Sequence, residues 1–243
     1  REPVGVVAQI TPWNFPMMMA ARNAAPALAT GNTVILKPSE LTSLTTLRLG
    51  ELAEEAGFPP GVITVLPGRG EVTGAALAAH RDVDMVCFTG GQDAARSVVK
   101  ASACNFKKLH MELGGKNPVI VFADADLDRA IPEIVGAAFS NAGQNCAAGT
   151  RVIVEQSILD ELVGRLADAT GQMRVGAPTE ENIEMGPLIS SDHRDRVRSY
   201  IELGQSEGAE LVVGGETSGP GYFLTPALLT NARPEMRFMR EEI

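Results

Sequence analysis

The sequence predicts an α/β protein, with a doubly wound parallel sheet in residues 1–113 and a second α/β unit in residues 114–243. One observation is that short β-branched runs alternate with Ala-rich stretches up to Leu113, which is typical of a parallel sheet covered by helices. Another is that this alternation stops at Gly114-Gly115 and then starts again. We therefore expect two α/β units, one after the other along the chain.

The first unit is expected to contain five strands joined by four helices. The β-branched runs predict strands at 4–10, 33–37, 62–66, 85–89 and 108–113. The intervening stretches predict helices at 18–29, 43–56, 71–79 and 92–101. The second helix has the clearest ends, because cap-type Thr42 precedes it and Gly57 follows it. Four successive crossovers predict a doubly wound domain of the kind that binds a nucleotide cofactor.

The second unit is expected to begin with a strand at 118–122, a helix at 127–141, a strand at 152–155 and a helix at 157–169. A stretch rich in Gly and Pro follows at 174–188. A charged helix at 192–207 and a strand at 210–213 come next. This order predicts a further α/β fold with looser connections than the first unit has.

Composition limits the classes of function. The formal net charge is −9, and no run of Lys and Arg forms a basic stripe, which argues against nucleic acid and anionic membranes as partners. The three cysteines are too widely spaced for a disulfide framework or a CxxC metal site, so a cytoplasmic location is expected. No apolar run is long enough to span a membrane, and the first residues do not form a signal peptide. His80, His110 and His193 lack metal-ligand spacing, so no metal site is predicted.

Cys146 is the candidate nucleophile. It follows Gly143, Gln144 and Asn145 in a polar, glycine-bounded turn, and a thiol is a soft nucleophile suited to a carbonyl carbon. The alternative is a buried cysteine that packs as a small apolar residue. A polar approach is unusual at a core position, so the turn favours an exposed thiol in a pocket.

Glu112 is the candidate general base. It ends a predicted strand just before Gly114-Gly115, and ligands bind at the carboxyl ends of parallel strands. A carboxylate placed there can activate water to release a thioester. The alternative is an ion pair with Lys116 or Lys108 between the two units. The adjacent glycines favour the first interpretation, because they let the backbone approach a ligand closely.

Asn14 is the candidate oxyanion donor. It lies in the segment Trp13-Asn14-Phe15-Pro16, where an asparagine could equally be an ordinary turn residue. A carbonyl attacked by a thiolate develops negative charge on its oxygen. The Asn14 amide, together with the backbone N–H of Cys146, could stabilise that charge.

Residues after the second, third and fourth strands are candidate cofactor contacts. Lys37, Ser39 and Glu40 follow the second strand, where acidic residues of dinucleotide-binding folds hold the adenosine ribose. The Glu40 carboxylate would repel a 2′-phosphate, so it favours NAD over NADP, although Lys37 offsets this preference. The alternative is a solvated loop that caps the next helix. Gly70, Gly90 and Gly91 lie in further turns; the last two precede a helix whose free N–H groups suit a pyrophosphate.

Five segments, in the same order along the chain, resemble motifs of the NAD(P)-dependent aldehyde dehydrogenase superfamily. They are Trp13-Asn14-Phe15-Pro16, Lys37-Pro38-Ser39-Glu40, Phe88-Thr89-Gly90, Glu112-Leu113-Gly114-Gly115-Lys116 and Gly143-Gln144-Asn145-Cys146. The resemblance implies NAD-dependent oxidation of a small aldehyde to a carboxylic acid, through a thiohemiacetal and a thioester on the cysteine. An alternative is a non-catalytic protein, or an inactive fragment, that keeps the fold for cofactor binding or a structural role.

The resemblance also implies roles for single residues. Cys146 is similar to the family nucleophile, Glu112 to the general base and Asn14 to the oxyanion donor. The implied cofactor contacts are Ile10, Thr11, Pro12, Trp13, Lys37, Ser39, Glu40, Gly70, Gly90, Gly91, Leu113 and Glu242. Gly91 stands where the family commonly has Ser, and Ala95 stands where it often has Gly.

Family members extend beyond this chain at both ends, so a fragment truncated at both termini is expected. The resemblance implies that the parent protein is a homodimer or homotetramer. The stretch around Cys146 is similar to betaine-aldehyde, aminoaldehyde and semialdehyde dehydrogenases.

Overall fold

A computed structural model describes residues 2–243, which separate into two compact units. The first ends at Gly114, and the second spans Gly115–Ile243. The two units are described one at a time below.

The first unit is a five-stranded, all-parallel sheet covered by helices. Its strands, in chain order, are β1 Val6–Ile10, β2 Thr33–Lys37, β3 Ile63–Val65, β4 Met85–Gly90 and β5 Lys108–Leu113. Its helices are α1 Pro16–Ala29, α2 Leu44–Glu55, α3 Ala75–Ala79 and α4 Gln92–Ser102. The strand order β3-β2-β1-β4-β5 places β4 beside β1, on the side opposite β2. The prediction of a doubly wound parallel sheet is confirmed.

Alternate residues of the central strands build a core on each face of the sheet. Ala8, Val86 and Phe88 point to one face and pack with Ala95 and Val98 of α4. On the other face, two side chains of β2 pack with two alanines of α1; these residues are Ala20, Ala24, Val34 and Leu36. Burial on both faces explains why these strands are near-continuous apolar runs in the sequence.

The second unit is built around a short parallel sheet. β6 Pro118–Val121 pairs with β7 Arg151–Val154, and α5 Leu127–Phe139 and α6 Leu159–Gly171 cover one face. The chain continues through α7 Ser191–Ser206, an antiparallel pair formed by β8 Glu210–Val213 and β9 Leu228–Thr230, and α8 Arg237–Arg240. The N-terminus of α5 is fixed by Asp126, whose carboxylate accepts hydrogen bonds from the backbone N–H groups of Asp128 and Arg129.

The structure differs from the sequence-based expectations at several ends. The predicted helix 71–79 begins as a π-helical turn at Gly70–Gly74 and becomes α-helical only at Ala75. The predicted helix 127–141 ends at Phe139, because Asn141 and Ala142 adopt left-handed backbone conformations. β9 and α8 are absent from the predicted elements, since they are short and β9 is defined by its pairing with β8.

Two further observations concern the helices and the potential metal ligands of residues 2–243. None of the helices there has the length and apolar character needed to cross a membrane. In the same residues, no group of three His, Cys, Asp or Glu side chains is arranged to hold a metal ion.

Candidate active site

The strand order of the first unit reverses between β1 and β4, and open α/β sheets have a crevice at the carboxyl ends of the strands at such a point. Ile10 and Gly90, the last residues of these strands, are both predicted cofactor contacts. Thr11 follows β1; it is only 4% exposed, and its hydroxyl has no hydrogen-bond partner among residues 2–243. A buried hydroxyl without a partner is costly, so this position suits a polar ligand group or a water molecule. Open α/β sheets bind ligands in this crevice.

The turn between β4 and α4 offers backbone donors on the same edge of the sheet. Gly91 caps α4, and its side-chain-free backbone leaves the first N–H groups of the helix without a side-chain cap. A Cβ atom at Gly91 would meet nothing within 4 Å, whereas one at Gly90 would lie 2.8 Å from the Phe88 ring. The turn therefore needs glycine at position 90 and is open at position 91, which fits a diphosphate at the helix N-terminus.

The loop after β2 joins a buried cation to a carboxylate. The Lys37 side chain is 3% exposed, and its Nζ lies 3.3 Å from Oε2 of Glu40. The pKa of Glu40 is lowered: burial acts to raise it, but hydrogen bonds from the backbone N–H groups of Glu40 and Gly70 and the Lys37 charge outweigh burial. Ser39 is buried, and its Oγ accepts a hydrogen bond from the Leu41 N–H at 3.3 Å. The loop thus presents an ionised acceptor suited to sugar hydroxyls.

The segment after Thr11 carries Asn14 into the start of α1. Trp13, Asn14 and Phe15 form a half-buried bend, and Pro16 opens the helix. The Asn14 Oδ1 accepts a hydrogen bond from the Phe15 N–H at 3.1 Å. Because Oδ1 faces the backbone of Phe15, the Nδ2 atom of the Asn14 amide points away from that backbone N–H group.

Glu112 lies near the carboxyl end of β5 and is half-exposed. Its Oε1 lies 3.8 Å from Nη2 of Arg22 on α1 and 3.5 Å from Nε2 of His110. His110, which was not among the predicted site residues, therefore lies beside the candidate base. Both contacts involve Oε1, so neither restrains Oε2. Leu113, the last residue of β5, pairs in register with Gly90 and is 39% exposed.

In the second unit, Cys146 follows a run of left-handed residues that we call the left-handed turn, residues 141–143. The φ angles of Asn141, Ala142 and Gly143 are +54°, +57° and +71°. Gly and Asn tolerate this region, but an alanine there is uncommon and strained. Cys146 is half-buried, and its nearest hydrogen-bonding neighbour is Oδ1 of Asn145, 3.9 Å from Sγ.

The backbone of Cys146 is held from the side of the Gly115–Asn117 segment. The Asn117 Nδ2 donates to the Cys146 carbonyl at 2.8 Å. A Cβ atom at Gly115 would lie 3.4 Å from the same carbonyl oxygen, which is an ordinary contact distance. Asn117 was not among the predicted site residues, because 29 residues separate it from Cys146.

Lys116, in the same segment, is a half-buried cation whose charge acts on Glu242. Burial, followed by the Arg151 charge, lowers the pKa of Lys116 to about 8, and the Glu242 carboxylate opposes these effects. The pKa of Glu242 is raised by its partial burial, and the charges of Arg196 and Lys116 oppose that rise. The Arg196 Nη2 also donates to the backbone carbonyl of Glu242 at 3.2 Å. Glu242, a predicted cofactor contact, therefore lies close to two cationic residues, Arg196 and Lys116.

The lowered pKa of Lys116 predicts a pH-dependent stability. Below pH 8 both the folded and the unfolded chain carry the charge, and folding bears the full cost of burying it. Between the folded pKa of about 8 and the unfolded value of 10.5, the unfolded state binds more protons, so the free energy of unfolding rises with pH. We expect denaturant unfolding at pH 7.5 and 9.5 to show wild type gaining stability relative to Lys116→Met. Lys100→Met, at an exposed site, is the control. If wild type and Lys116→Met differ by the same free energy of unfolding at both pH values, the prediction is contradicted.

The predicted site residues therefore fall into two groups. The carboxyl edge of the first sheet brings together the segments after β1, β2 and β4 and the end of β5; it carries Ile10–Asn14, Lys37–Glu40, Gly90, Gly91, Glu112 and Leu113. The second unit carries Cys146 and Glu242. The Cys146 carbonyl accepts a hydrogen bond from Asn117, and the Glu242 carboxylate interacts with the charge of Lys116. Among the residues missed, Arg22 and Asn117 act through contacts distant in sequence, so sequence spacing gave no signal for them.

Comparisons with known proteins agree along the whole chain. The model of the aldehyde dehydrogenase family matches residues 1–243. An aldehyde dehydrogenase of Agaricus bisporus is 46% identical over 245 residues, which cover 100% of this chain and 49% of that protein. A betaine aldehyde dehydrogenase of Bacillus subtilis is 44% identical over 248 residues, which cover 100% of this chain and 51% of that protein.

Solved structures give the same result. The betaine aldehyde dehydrogenase of Staphylococcus aureus in complex with NAD+ matches with a TM-score of 0.97 at 43% identity, over 99% of this chain and 49% of that one. PnpE in complex with nicotinamide adenine dinucleotide matches with a TM-score of 0.97 at 44% identity, over 100% of this chain and 50% of that one. The chain spans about half the length of the curated relatives it matches.

Proposed function

The chain belongs to the aldehyde dehydrogenase family, and from this premise we propose that the protein oxidises an aldehyde to a carboxylic acid with NAD as the acceptor. The observation that carries the proposal is the left-handed turn, which presents a half-buried thiol in a chain that also folds into a dinucleotide-type sheet. Strained backbone next to a potential nucleophile is expected at a reactive site rather than in a core.

The proposal gives Cys146 the role of nucleophile. Its sulfur adds to the aldehyde carbon, and the carbonyl oxygen becomes an oxyanion. The Asn14 amide and the backbone N–H of Cys146 donate hydrogen bonds to that oxygen as its charge develops. The Asn14 Oδ1 is occupied by the Phe15 N–H, which supports Nδ2 as the donor.

We assign Glu112 to the release of the acyl group from the sulfur. Its carboxylate takes a proton from water, the resulting hydroxide attacks the acyl carbon, and the carbon–sulfur bond breaks to return the thiolate. The contacts of Glu112 support this role, because Arg22 and His110 both approach Oε1 and leave Oε2 for the proton.

The first unit, residues 1–113, is proposed to hold the cofactor, and the second, residues 114–243, to hold the catalytic thiol. Thr11, the α4 N-terminus and the Lys37–Glu40 loop offer a buried hydroxyl, backbone donors and an ionised acceptor. These groups fit a dinucleotide, and Glu242 is proposed as a further contact to its nicotinamide ribose. The nicotinamide ring, when bound, would supply the acceptor for the hydride that leaves the carbon bonded to the Cys146 sulfur. Loss of that hydride re-forms the carbonyl bond and leaves the acyl group on the sulfur as a thioester.

The substrate class we propose is small aldehydes of the betaine-aldehyde, aminoaldehyde and semialdehyde type. Betaine aldehyde dehydrogenases recur among the similar proteins and structures. For the whole protein we propose a cytoplasmic homodimer or homotetramer; the three cysteines are free, as expected in a reducing compartment.

The experiment that tests the function follows NADH absorbance when the purified protein is mixed with NAD and a panel of aliphatic, amino- and semialdehydes. Aldehyde-dependent NADH is the expected result, and its rank order names the preferred aldehyde. NAD binding without NADH formation from any aldehyde would contradict the proposal and favour a non-catalytic cofactor-binding protein.

Cofactor choice depends on Glu40. Glu40→Gln removes the charge that repels a 2′-phosphate and leaves the Lys37 cation nearby, so the preference for NAD over NADP should fall by roughly tenfold, since charge pairs near a surface are worth about 1 kcal/mol or more. The ratio of kcat/KM for the two cofactors measures this. Glu54→Gln, at an exposed position of α2, is the control; an unchanged ratio in Glu40→Gln would remove Glu40 from cofactor selection.

A further inference from the structure

The left-handed turn must be stabilised from outside, because its own backbone is unfavourable. Three consecutive residues with positive φ are rare, and Ala142 brings a Cβ atom into a region where it crowds the following carbonyl. Such a conformation persists only when surrounding contacts determine it. Those contacts decide where the backbone places Cys146, three residues after the turn.

The side chain of Gln144 supplies two of these contacts. Its Nε2 donates to the backbone carbonyl of Asn141 at 3.1 Å, across the left-handed turn. Its Oε1 accepts a hydrogen bond from the Ile189 N–H at 2.8 Å, in the segment that precedes α7. One amide thus joins the turn to a part of the second unit that lies 45 residues further along the chain.

The Asn141 side chain donates a hydrogen bond back to Gln144, and the Ala142 side chain makes an apolar contact. The Asn141 Nδ2 donates to the Gln144 carbonyl at 3.3 Å, so the two residues exchange side-chain to backbone hydrogen bonds. Ala142 packs against a cluster of buried residues formed by Leu188, Ile201 and Leu224. The Gln144 amide therefore attaches the turn to Ile189, and the Ala142 methyl attaches it to the cluster that contains the neighbouring Leu188.

The geometry points to Gln144 as a positioning residue that fixes the turn carrying Cys146 through its side-chain amide. Gln144 acts on the backbone of the turn, whereas the Sγ atom of Cys146 lies nearest to Oδ1 of Asn145. The catalytic consequence rests on the proposed function, in which Cys146 is the nucleophile. The structural part, the attachment of the turn, can be measured without turnover.

The first test uses the three cysteines of the chain. Iodoacetamide labelling, followed by mass spectrometry of each cysteine peptide, gives the alkylation rate of half-buried Cys146 relative to exposed Cys104. Gln144→Met keeps the size of the side chain and removes both hydrogen bonds. The turn should then open more often, and the Cys146 to Cys104 ratio should rise by about tenfold, the scale expected for two lost hydrogen bonds.

Two further variants make the result specific. Gln144→Glu keeps the acceptor for the Ile189 N–H but loses the donor to Asn141, so its ratio should lie between those of wild type and Gln144→Met. Gln205→Met, at an exposed position of α7, is the matched control and should leave the ratio unchanged. An unchanged or lower ratio in Gln144→Met would overturn the proposal.

Hydrogen exchange separates positioning from general unfolding. Faster exchange in peptides covering residues 140–147, with α6 protected as in wild type, is the expected pattern for Gln144→Met. If α6 also loses protection in Gln144→Met, the Cys146 to Cys104 alkylation ratio of Gln144→Glu is used in its place. A rise in that ratio above the wild-type value supports the proposal, and an unchanged ratio overturns it.

Turnover gives the catalytic readout. Gln144→Met should lower the rate of the first NADH burst by about tenfold or more and leave the KM for NAD unchanged, because misplacing a nucleophile affects the chemical step. An unaltered burst in Gln144→Met would remove the catalytic role of Gln144. If wild type forms no NADH, the proposed function fails, while the alkylation and exchange results still decide whether Gln144 fixes the turn.

Discussion

Replacing Cys146 with alanine is expected to abolish aldehyde-dependent NADH formation, including the first turnover. The proposed reaction begins with addition of the sulfur to the aldehyde, and none of its later steps can start without that bond. Removing the nucleophile from an enzyme that uses covalent catalysis lowers kcat by roughly 10⁴-fold or more. The protein should still bind NAD, because Cys146 is not among the residues proposed to hold the cofactor, and all of those except Glu242 belong to the first unit.

Stopped-flow absorbance after mixing with NAD and the preferred aldehyde measures the Cys146→Ala effect, and NAD binding is followed by quenching of tryptophan fluorescence. Cys104→Ala is the matched control, since Cys104 is an exposed cysteine whose Sγ contacts only the nearby Ala79 carbonyl and Asn105 side chain in the described residues. A burst that persists in Cys146→Ala would refute the nucleophile assignment.

Replacing Glu112 with glutamine is expected to separate the two halves of the reaction. The burst of NADH should remain, because addition of the thiolate does not need this carboxylate in the proposed mechanism. Steady turnover should fall by roughly 10²- to 10⁴-fold, the usual contribution of a general base. Glutamine keeps the size of the side chain and an oxygen that can stay near Arg22 and His110, so the fold of β5 should be unchanged.

The same stopped-flow experiment gives burst amplitude and steady rate for Glu112→Gln in one trace. Glu133→Gln, at an exposed position of α5, is the control. A normal steady rate in Glu112→Gln would remove Glu112 from the role of base. Turnover that requires coenzyme A in wild type would contradict hydrolysis by water, because the acyl group would then leave on another thiol.

Local patterns in the sequence were sufficient to predict the first sheet. The strands β1, β2 and β4 are largely buried runs of five or six mostly apolar residues. β2 and β5 were predicted with the bounds that the structure has. Parallel order followed from the helices between the strands. Of the antiparallel pair, β8 was predicted and β9 was not, because β9 has only three residues and is defined by its pairing with β8.

The candidate site was predictable only where its chemistry lies in contiguous motifs. The thiol, the carboxylate and the Asn14 amide could be named from their segments, and their roles stay predictions. The groups that hold them could not be named, because Arg22 reaches Glu112, and Ile189 reaches Gln144, across long separations in the sequence. Chain topology brings such pairs together, and no local spacing encodes that topology.

The left-handed turn also restricts which amino acids the gene can encode at positions 142 and 143. Residue 142 has a positive φ, and its side chain packs against the cluster formed by Leu188, Ile201 and Leu224. Codons for β-branched and aromatic residues are therefore disfavoured at this position. Position 143 has φ +71° and a Cβ there would lie 3.3 Å from the Ala138 carbonyl, which favours glycine alone. Positions 142 and 143, which carry no reactive group, are therefore restricted by backbone shape, in addition to the restriction that chemistry places on position 146.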